Sequence, residues 1–352
     1  MTVDSKISFE KINEIGSLEG KNSKVFLAKD IQLDAELVIK EIPKTSFSNA
    51  HLYYAEARNL YSSKHPNIVE IHYASEDDDN IYFALPYYQK GSLNSIMANR
   101  FLSVREILKY SLEFLTALHY IHTKKLVHFD IKPTNILIND SNVALLTDFG
   151  LSKYLDGFGL ASPEGLYHSH VPPEALTGTD IDLKTDIYQS GLTIYRMCNG
   201  NEPFHKHWRK RLQTKEERME AITNGTFPDR SYFLPHIPKQ LRKVILKAIE
   251  TDHSKRYNSV LEMINELSKI DKSLDWIYSK NNKNTHVWEI HESNSVSTII
   301  LDCQKGIWST RATKHTISSN NTTNISAWTV DKFPDINKAF LTIESWIIAY
   351  KC

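Results

Sequence analysis

Residues 128–150 read HFDIKPTNILINDSNVALLTDFG. Within this run stand a carboxylate (Asp130), an ammonium (Lys132), a carboxamide (Asn135) and a second carboxylate (Asp148). Two short β-prone pieces, 136–138 and 143–146, flank the polar run Asn139-Asp140-Ser141-Asn142, whose residue types favour tight turns. A hairpin there would fold Asp148 back beside the first three groups. Such a set suits phosphoryl transfer, which asks the chain for little covalent chemistry. It needs a carboxylate to place a hydroxyl, cations to hold phosphates, and oxygen ligands for Mg²⁺.

Upstream, Lys24-Val25-Phe26-Leu27-Ala28 and Glu36-Leu37-Val38-Ile39-Lys40 read as strands. A helical stretch over 49–63 follows, with Leu52, Glu56 and Leu60 on one face. From Ser92 the pattern turns helical, and Ile107, Tyr110, Ser111, Phe114, Leu115, Leu118 and Ile121 make a long amphipathic stripe. A strand-rich front part therefore precedes a helix-rich body, with a boundary near 88–91. A second boundary falls near 281–285, inside the polar SKNNKNT. Beyond it, 286–291, 296–303, 306–313 and 326–330 are expected as strands, and 334–350 as a helix with Pro334 near its first turn. Trp288, Trp308, Trp328 and Trp346 are expected as an aromatic core for this last part rather than a recognition surface.

Composition restricts the function classes. The 352 residues are 41% hydrophobic and 24% charged, enough apolar material for a core without disulfides. Basic and acidic residues balance at 42 each, so no global field draws the chain to nucleic acid or to a membrane. Three scattered cysteines, Cys198, Cys303 and Cys352, suggest neither a disulfide framework nor a metal knuckle. With no secretory h-region and no long apolar run, the expected setting is the cytoplasm.

The ordered run from His128 to Gly150 resembles the catalytic loop and DFG segment of the eukaryotic-type protein kinase family. The Asp130-Ile-Lys132 spacing resembles its serine/threonine branch. The resemblance implies an α+β bilobal protein-kinase fold with a β-rich N-lobe (9–85), a hinge (86–91) and a helical C-lobe (92–270). A linker (271–285) and a small β-then-α module (286–352) would follow. It implies Asp130 as catalytic base, Lys132 at the γ-phosphate, Asn135 and Asp148 as Mg²⁺ ligands, Lys40 on the α- and β-phosphates, and Glu56 as the partner of Lys40. It further implies Leu85 as gatekeeper, with adenine held by the Pro86 carbonyl and the Tyr88 N–H; the absent N–H of Pro86 does no harm at a position that only accepts. Asp186 would brace the catalytic loop, and Arg256 would pair with Glu174. The implied cofactors are ATP and Mg²⁺ and the implied partner a protein substrate, with nucleic acid and membrane excluded. The short length and few cysteines resemble the eukaryotic-like kinases of bacteria or their phages.

The chain departs from the family at three places. The glycine-rich loop keeps Gly20 at one glycine position, while Ser23 stands at another ahead of Val25. Phe129 replaces the arginine that pairs with an activation-loop phosphate, which implies activity without that phosphorylation. Ser152, Ser162 and Ser169 are still offered as autophosphorylation positions. Near the end of the activation segment Tyr167 stands where a threonine is usual, or Ser169 takes that place after a shift. Three functions compete: an active serine/threonine kinase, a pseudokinase-type scaffold favoured by the degraded loop, and a small-molecule kinase. Retention of Lys40, Glu56, Asp130, Asn135 and Asp148 favours the first. The 286–352 module is expected to be separable, with a regulatory or substrate-docking role.

Overall fold

The structure is a computed structural model that describes residues 7–16, 23–47, 54–161, 168–176, 178 and 181–350. Gly20, Leu52, Ser162, Tyr167 and Cys352 lie outside the described residues. The front part is a five-stranded antiparallel sheet of β1 (Phe9–Ile15), β2 (Lys24–Asp30), β3 (Ala35–Pro43), β4 (Tyr73–Glu76) and β5 (Asn80–Pro86) in the order β1-β2-β3-β5-β4. Strand alternation puts successive β3 residues on opposite faces. Leu37 and Ile39 join Ala28 and Ala84 in one core cluster, while Ile42 packs with Ile81, Phe83 and Ala57 in another. Ala57 belongs to α1 (Ala55–Ser62), so this helix seats on the β3 face that also carries Lys40.

Helices α2 (Leu93–Asn99) and α3 (Val104–Thr123) open the body. The expected stripe is there: Ile107, Tyr110, Phe114, Leu115, Leu118 and Ile121 are all fully buried on α3. Two small hairpin-like pairs follow, β6 (Leu126–Val127) with β9 (Lys153–Tyr154) and β7 (Ile136–Ile138) with β8 (Ala144–Leu146). The predicted turn joins β7 to β8. Asn139 accepts from the Val143 N–H at 2.8 Å, and Asn142 adopts φ +63°. The remaining helices of the body are α4 (Pro173–Leu176), α5 (Lys184–Asn199), α6 (Asn201–Lys206), α7 (Lys215–Thr223), α8 (Lys239–Ala248) and α9 (Val260–Leu267).

The C-terminal part is a sheet of β10 (Ile277–Asn282), β11 (Thr285–His291), β12 (Ser295–Gln304), β13 (Ile307–Thr316) and β14 (Asn321–Asn324), with β15 (Val330–Phe333) also on β13; α10 (Ile336–Ala349) closes it. Asp335 caps α10 by accepting from the Lys338 N–H at 2.8 Å, so Pro334 lies just before the helix. Three expectations are corrected. The stretch 271–285 contains β10, which pairs along its length with β11; its polar residues sit on an edge strand, where one side needs no partner. Residues Ser326–Trp328 form a 3₁₀ turn, and the strand comes after them. Of the four tryptophans only Trp288 is fully buried; the others are half-buried.

The chain divides into two compact units. The first comprises the residues up to Ile96, Glu113–Val171 and Gly178–Gln189; the second comprises Met97–Leu112, Pro172–Thr177 and the residues from Ser190 onward. The C-terminal sheet thus shares a unit with α6 to α9 instead of standing alone. Among the described residues no helix is long and apolar enough to cross a membrane.

Candidate active site

The first unit holds the site. On β3, Lys40 lies opposite Val25 of β2, and its neighbour Val38 lies opposite Leu85 of β5. Lys40 Nζ donates to Glu56 Oε1 at 2.6 Å and to Asp148 Oδ1 at 2.8 Å. Burial opposes a charged ammonium, but the two carboxylates outweigh it and raise the Lys40 pKa well above its ordinary value. Desolvation would raise Asp148, yet the Lys40 ammonium holds it down at about 2. At Glu56 burial wins over Lys40 and the carboxyl is raised. Gly150 is packed against this pair: a Cβ there would lie 3.4 Å from both Asp148 Oδ1 and Glu56 Oε2.

The catalytic loop is hung from α5. Asp186, fully buried, accepts from the N–H groups of His128 and Phe129 at 2.8 and 2.7 Å, and His122 Nε2 lies 2.7 Å away. Gln189, one turn on, accepts from the Ile131 N–H at 3.0 Å and donates to the Phe129 carbonyl at 2.8 Å. These bonds hold Phe129 at φ +67°, a left-handed conformation that costs a bulky residue energy. The His128 ring donates from Nε2 to the Thr147 carbonyl and stacks edge-on against Phe149. Burial keeps it neutral by lowering its pKa.

Asp130 is the centre of this arrangement. Its Oδ2 accepts from Lys132 Nζ and from Asn135 Nδ2, both at 2.8 Å. Its Oδ1 is buried and has no hydrogen-bond partner among the described residues. Asn135 Nδ2 also donates to the Asp130 carbonyl at 2.9 Å, which turns the amide oxygen away from Asp130. Asp148 is two-fifths exposed and engages Lys40 through Oδ1. Asn135 and Asp148 therefore offer oxygens without forming a closed cage, and no cluster of three or more metal-ligating side chains occurs among the described residues. That fits Mg²⁺, which takes one or two protein oxygens and keeps the rest of its shell for water and phosphate.

Pro86 ends β5 opposite Leu37, and the Tyr88 carbonyl accepts from the Gly91 N–H at 3.0 Å, closing a turn after the strand. Ser23 lies just before β2; the Gly20 expectation falls outside the described residues. In the second unit Arg256 and Glu174 form a bidentate pair at 2.8 and 2.7 Å, with Arg256 buried. Ser152 and Ser169, offered as phosphorylation positions, are both buried, which corrects that expectation: a kinase needs the hydroxyl exposed. Sequence reasoning missed Gln189 and His122 as braces of the loop. Gln189 follows Asp186 at i+3, on the same helix face, and that spacing was the available signal.

The protein kinase domain model matches residues 9–269. The chain is 30% identical over 272 residues to serine/threonine-protein kinase PrkC of Bacillus subtilis, covering 75% of this chain and 41% of that protein. It is 29% identical over 261 residues to probable serine/threonine-protein kinase CPE1738 of Clostridium perfringens, covering 72% and 37%. It is 26% identical over 300 residues to CBL-interacting serine/threonine-protein kinase 20 of Arabidopsis thaliana, covering 80% and 65%. The chain spans about two fifths of the length of the first bacterial relatives it matches.

Proposed function

Because the chain belongs to the protein kinase domain family, we propose that it transfers the γ-phosphoryl group of ATP to serine or threonine hydroxyls of a protein substrate. The observation that carries this reading is the divided environment of Asp130. One oxygen is pinned by Lys132 and Asn135, and the other is buried and unpartnered. Leaving a buried acceptor unsatisfied costs about 1–3 kcal/mol. An incoming substrate hydroxyl would remove that cost by donating to Oδ1, which also aims its oxygen away from the carboxylate. The hydroxyl oxygen then bonds to the γ-phosphorus, the bond from that phosphorus to the β–γ bridging oxygen breaks, the proton passes to Asp130, and ADP leaves.

Lys40, fixed by Glu56, is the counter-ion for the α- and β-phosphates, and Lys132 for the γ-phosphate. Leu85, the Pro86 carbonyl and the Tyr88 N–H form the adenine side, with Val25 and Ser23 over the nucleotide. Asn135 and Asp148 would hold Mg²⁺, which supplies charge neutralisation of the phosphates. The kinase domain is assigned to 9–270 and the setting to the cytoplasm. With Phe129 in the arginine position, activity needs no activation-loop phosphate.

The test is transfer of labelled γ-phosphate from Mg·ATP to a generic basic protein. Asp130→Ala should lower the rate by about 10²–10⁴. Nucleotide-dependent thermal stabilisation with no transfer by the unaltered protein would reject the reading in favour of a scaffold.

A further inference from the structure

A cleft of about 1040 Å³ lies in the second unit, away from the catalytic residues. Its floor is β10, the terminal strand of the C-terminal sheet, which has β11 on one side and no strand on the other among the described residues. Ile277 and Ser279 of β10 are exposed in it. Its wall is fixed in place. Phe101 packs edge-on against Tyr278 at 4.5 Å, and Gly200, at φ +76°, lies so close that a Cβ would sit 2.7 Å from the Phe101 ring. A free strand edge of six residues, about 20 Å long, is a template for an added strand.

One end of the cleft is bounded by the Lys280–Glu202 ion pair at 3.2 Å. On the other side of that pair lies a smaller depression of about 200 Å³, lined by Lys206, His207, Arg211 and Asp229. Glu202 and Asp229 also line this depression, but from 206 to 215 every formal charge is basic. Lys206, Arg209, Lys210, Arg211 and Lys215 are all exposed, and none forms an ion pair among the described residues. A charge run is often just a solvated face, but two features set this one apart. Arginines add to burial in lowering the neighbouring histidines: Arg196 and Arg209 help bring His205 to about 4, and Arg211 lowers His207 against the pull of Asp229. The run is also held rigid: His207–Arg211 is a π-helical turn, a form that often marks functional sites, and Trp208 packs on Phe227 at 5.0 Å and beneath Arg218 at 5.1 Å.

We propose that this cleft, together with the basic run beyond its Lys280–Glu202 end, docks an extended segment of a protein partner, whose backbone pairs with β10 and whose acidic flank lies on the 206–215 run. The edge supplies main-chain hydrogen bonds, which are indifferent to sequence. The basic run supplies selection for Asp- and Glu-rich flanks and sets the direction of the segment. Docking here is separate from phosphoryl transfer and is read by binding alone.

The experiment is fluorescence anisotropy on the full chain with two labelled peptides of about twelve residues. Each joins an alternating Val-Thr stretch to a run of Glu, placed at the N-terminal end in one and the C-terminal end in the other. A third peptide carries Lys in place of Glu. One acidic peptide should bind, more weakly as salt rises, and the Lys peptide should not. The combined substitution Arg209→Glu, Lys210→Glu, Arg211→Glu and, separately, Ser279→Trp should each weaken binding by about tenfold or more. Melting temperature and transfer to a generic substrate should stay unchanged in both variants. Binding of neither acidic peptide overturns the proposal. So does full binding by the Ser279→Trp variant, or binding only to phosphatidylserine vesicles, which would make the run a membrane contact.

Discussion

Phe129 shows how one residue changes the physics of a loop. Its side chain is fully buried, and its backbone is tied at both ends to Asp186 and Gln189. An arginine returned to this position would bring a charge to a side chain that is fully buried. Phe129→Arg should therefore destabilise the protein by about 3–5 kcal/mol, as expected for an uncompensated buried charge. The urea midpoint measures this; a stable variant that gained a need for phosphate would contradict it. Asp148 gives a prediction of opposite character. With its pKa lowered to about 2, its share of stability is complete above the ordinary carboxylate value near 4 and is lost as pH falls through 2. The Lys40–Asp148 pair should hence survive any assay between pH 5 and 8. A nucleotide affinity that fell steeply toward pH 5 through titration of Asp148 would be inconsistent with it. Such side chains were legible because each is a charged group at a fixed spacing. The His122 contact was not, since a histidine in the last turn of an amphipathic helix is ordinarily read as packing.

Helix α5 does two jobs at neighbouring positions. Asp186 and Gln189 hold the catalytic loop, and the helix then packs tightly through Gly191, where a Cβ would lie 2.6 Å from Ile249 Cγ2 and 2.8 Å from Ala248 Cβ. Gly191→Ala should cost about 1–3 kcal/mol through overpacking, despite alanine's better helix propensity. Calorimetric melting decides this; an unchanged or raised melting temperature would show that Ile249 can move aside. Gln189→Leu tests the other job. Losing two bonds to the loop should lower kcat with little change in the KM for ATP, because Lys40, Glu56 and the hinge are untouched. Equal loss in both would make Gln189 part of nucleotide binding. Elements with strong periodicity, α3 above all, were legible from sequence. Strand β10 was not, because Asn, Lys and Ser dominate its polar end and read as a turn. Its pairing depends on β11, a partner the local sequence does not reveal.

At the scale of the molecule, the second unit is held by a core that joins residues of the body to the C-terminal sheet. His236 stacks on Tyr278 at 5.7 Å, the Tyr278 hydroxyl bonds His286 Nδ1 at 2.7 Å, and His286 stacks on Trp288. Glu344 of α10 accepts from Arg242 of α8 at 3.3 Å. Removal of 282–352 would expose this core, so the truncated chain should aggregate rather than remain a folded kinase. The sequence suggested a separable module because tryptophan spacing reports that aromatic residues pack, but not against what. The same core makes stability sensitive to acid. Neither ring nitrogen of His236 has a hydrogen-bond partner among the described residues, nor does Nε2 of His286. Burial, aided by Arg242 and Lys280 respectively, lowers these histidines to about 3 and about 4. A histidine lowered on folding contributes stability that is complete above its unfolded value near 6.5 and is lost as pH falls toward the folded value, because the unfolded chain then binds the extra proton. The slope is at most about 1.4 kcal/mol per pH unit for each ring, or about 2 kcal/mol each at pH 5. His236→Phe keeps the stack on Tyr278 and removes one titrating group and two unsatisfied nitrogens. It should be at least as stable at pH 7.5 and lose up to about 2 kcal/mol less than the parent between pH 7.5 and 5. Urea unfolding at both pH values measures the difference; parallel pH dependence in parent and variant would mean that His236 is not buried neutral, and that the acid sensitivity arises elsewhere.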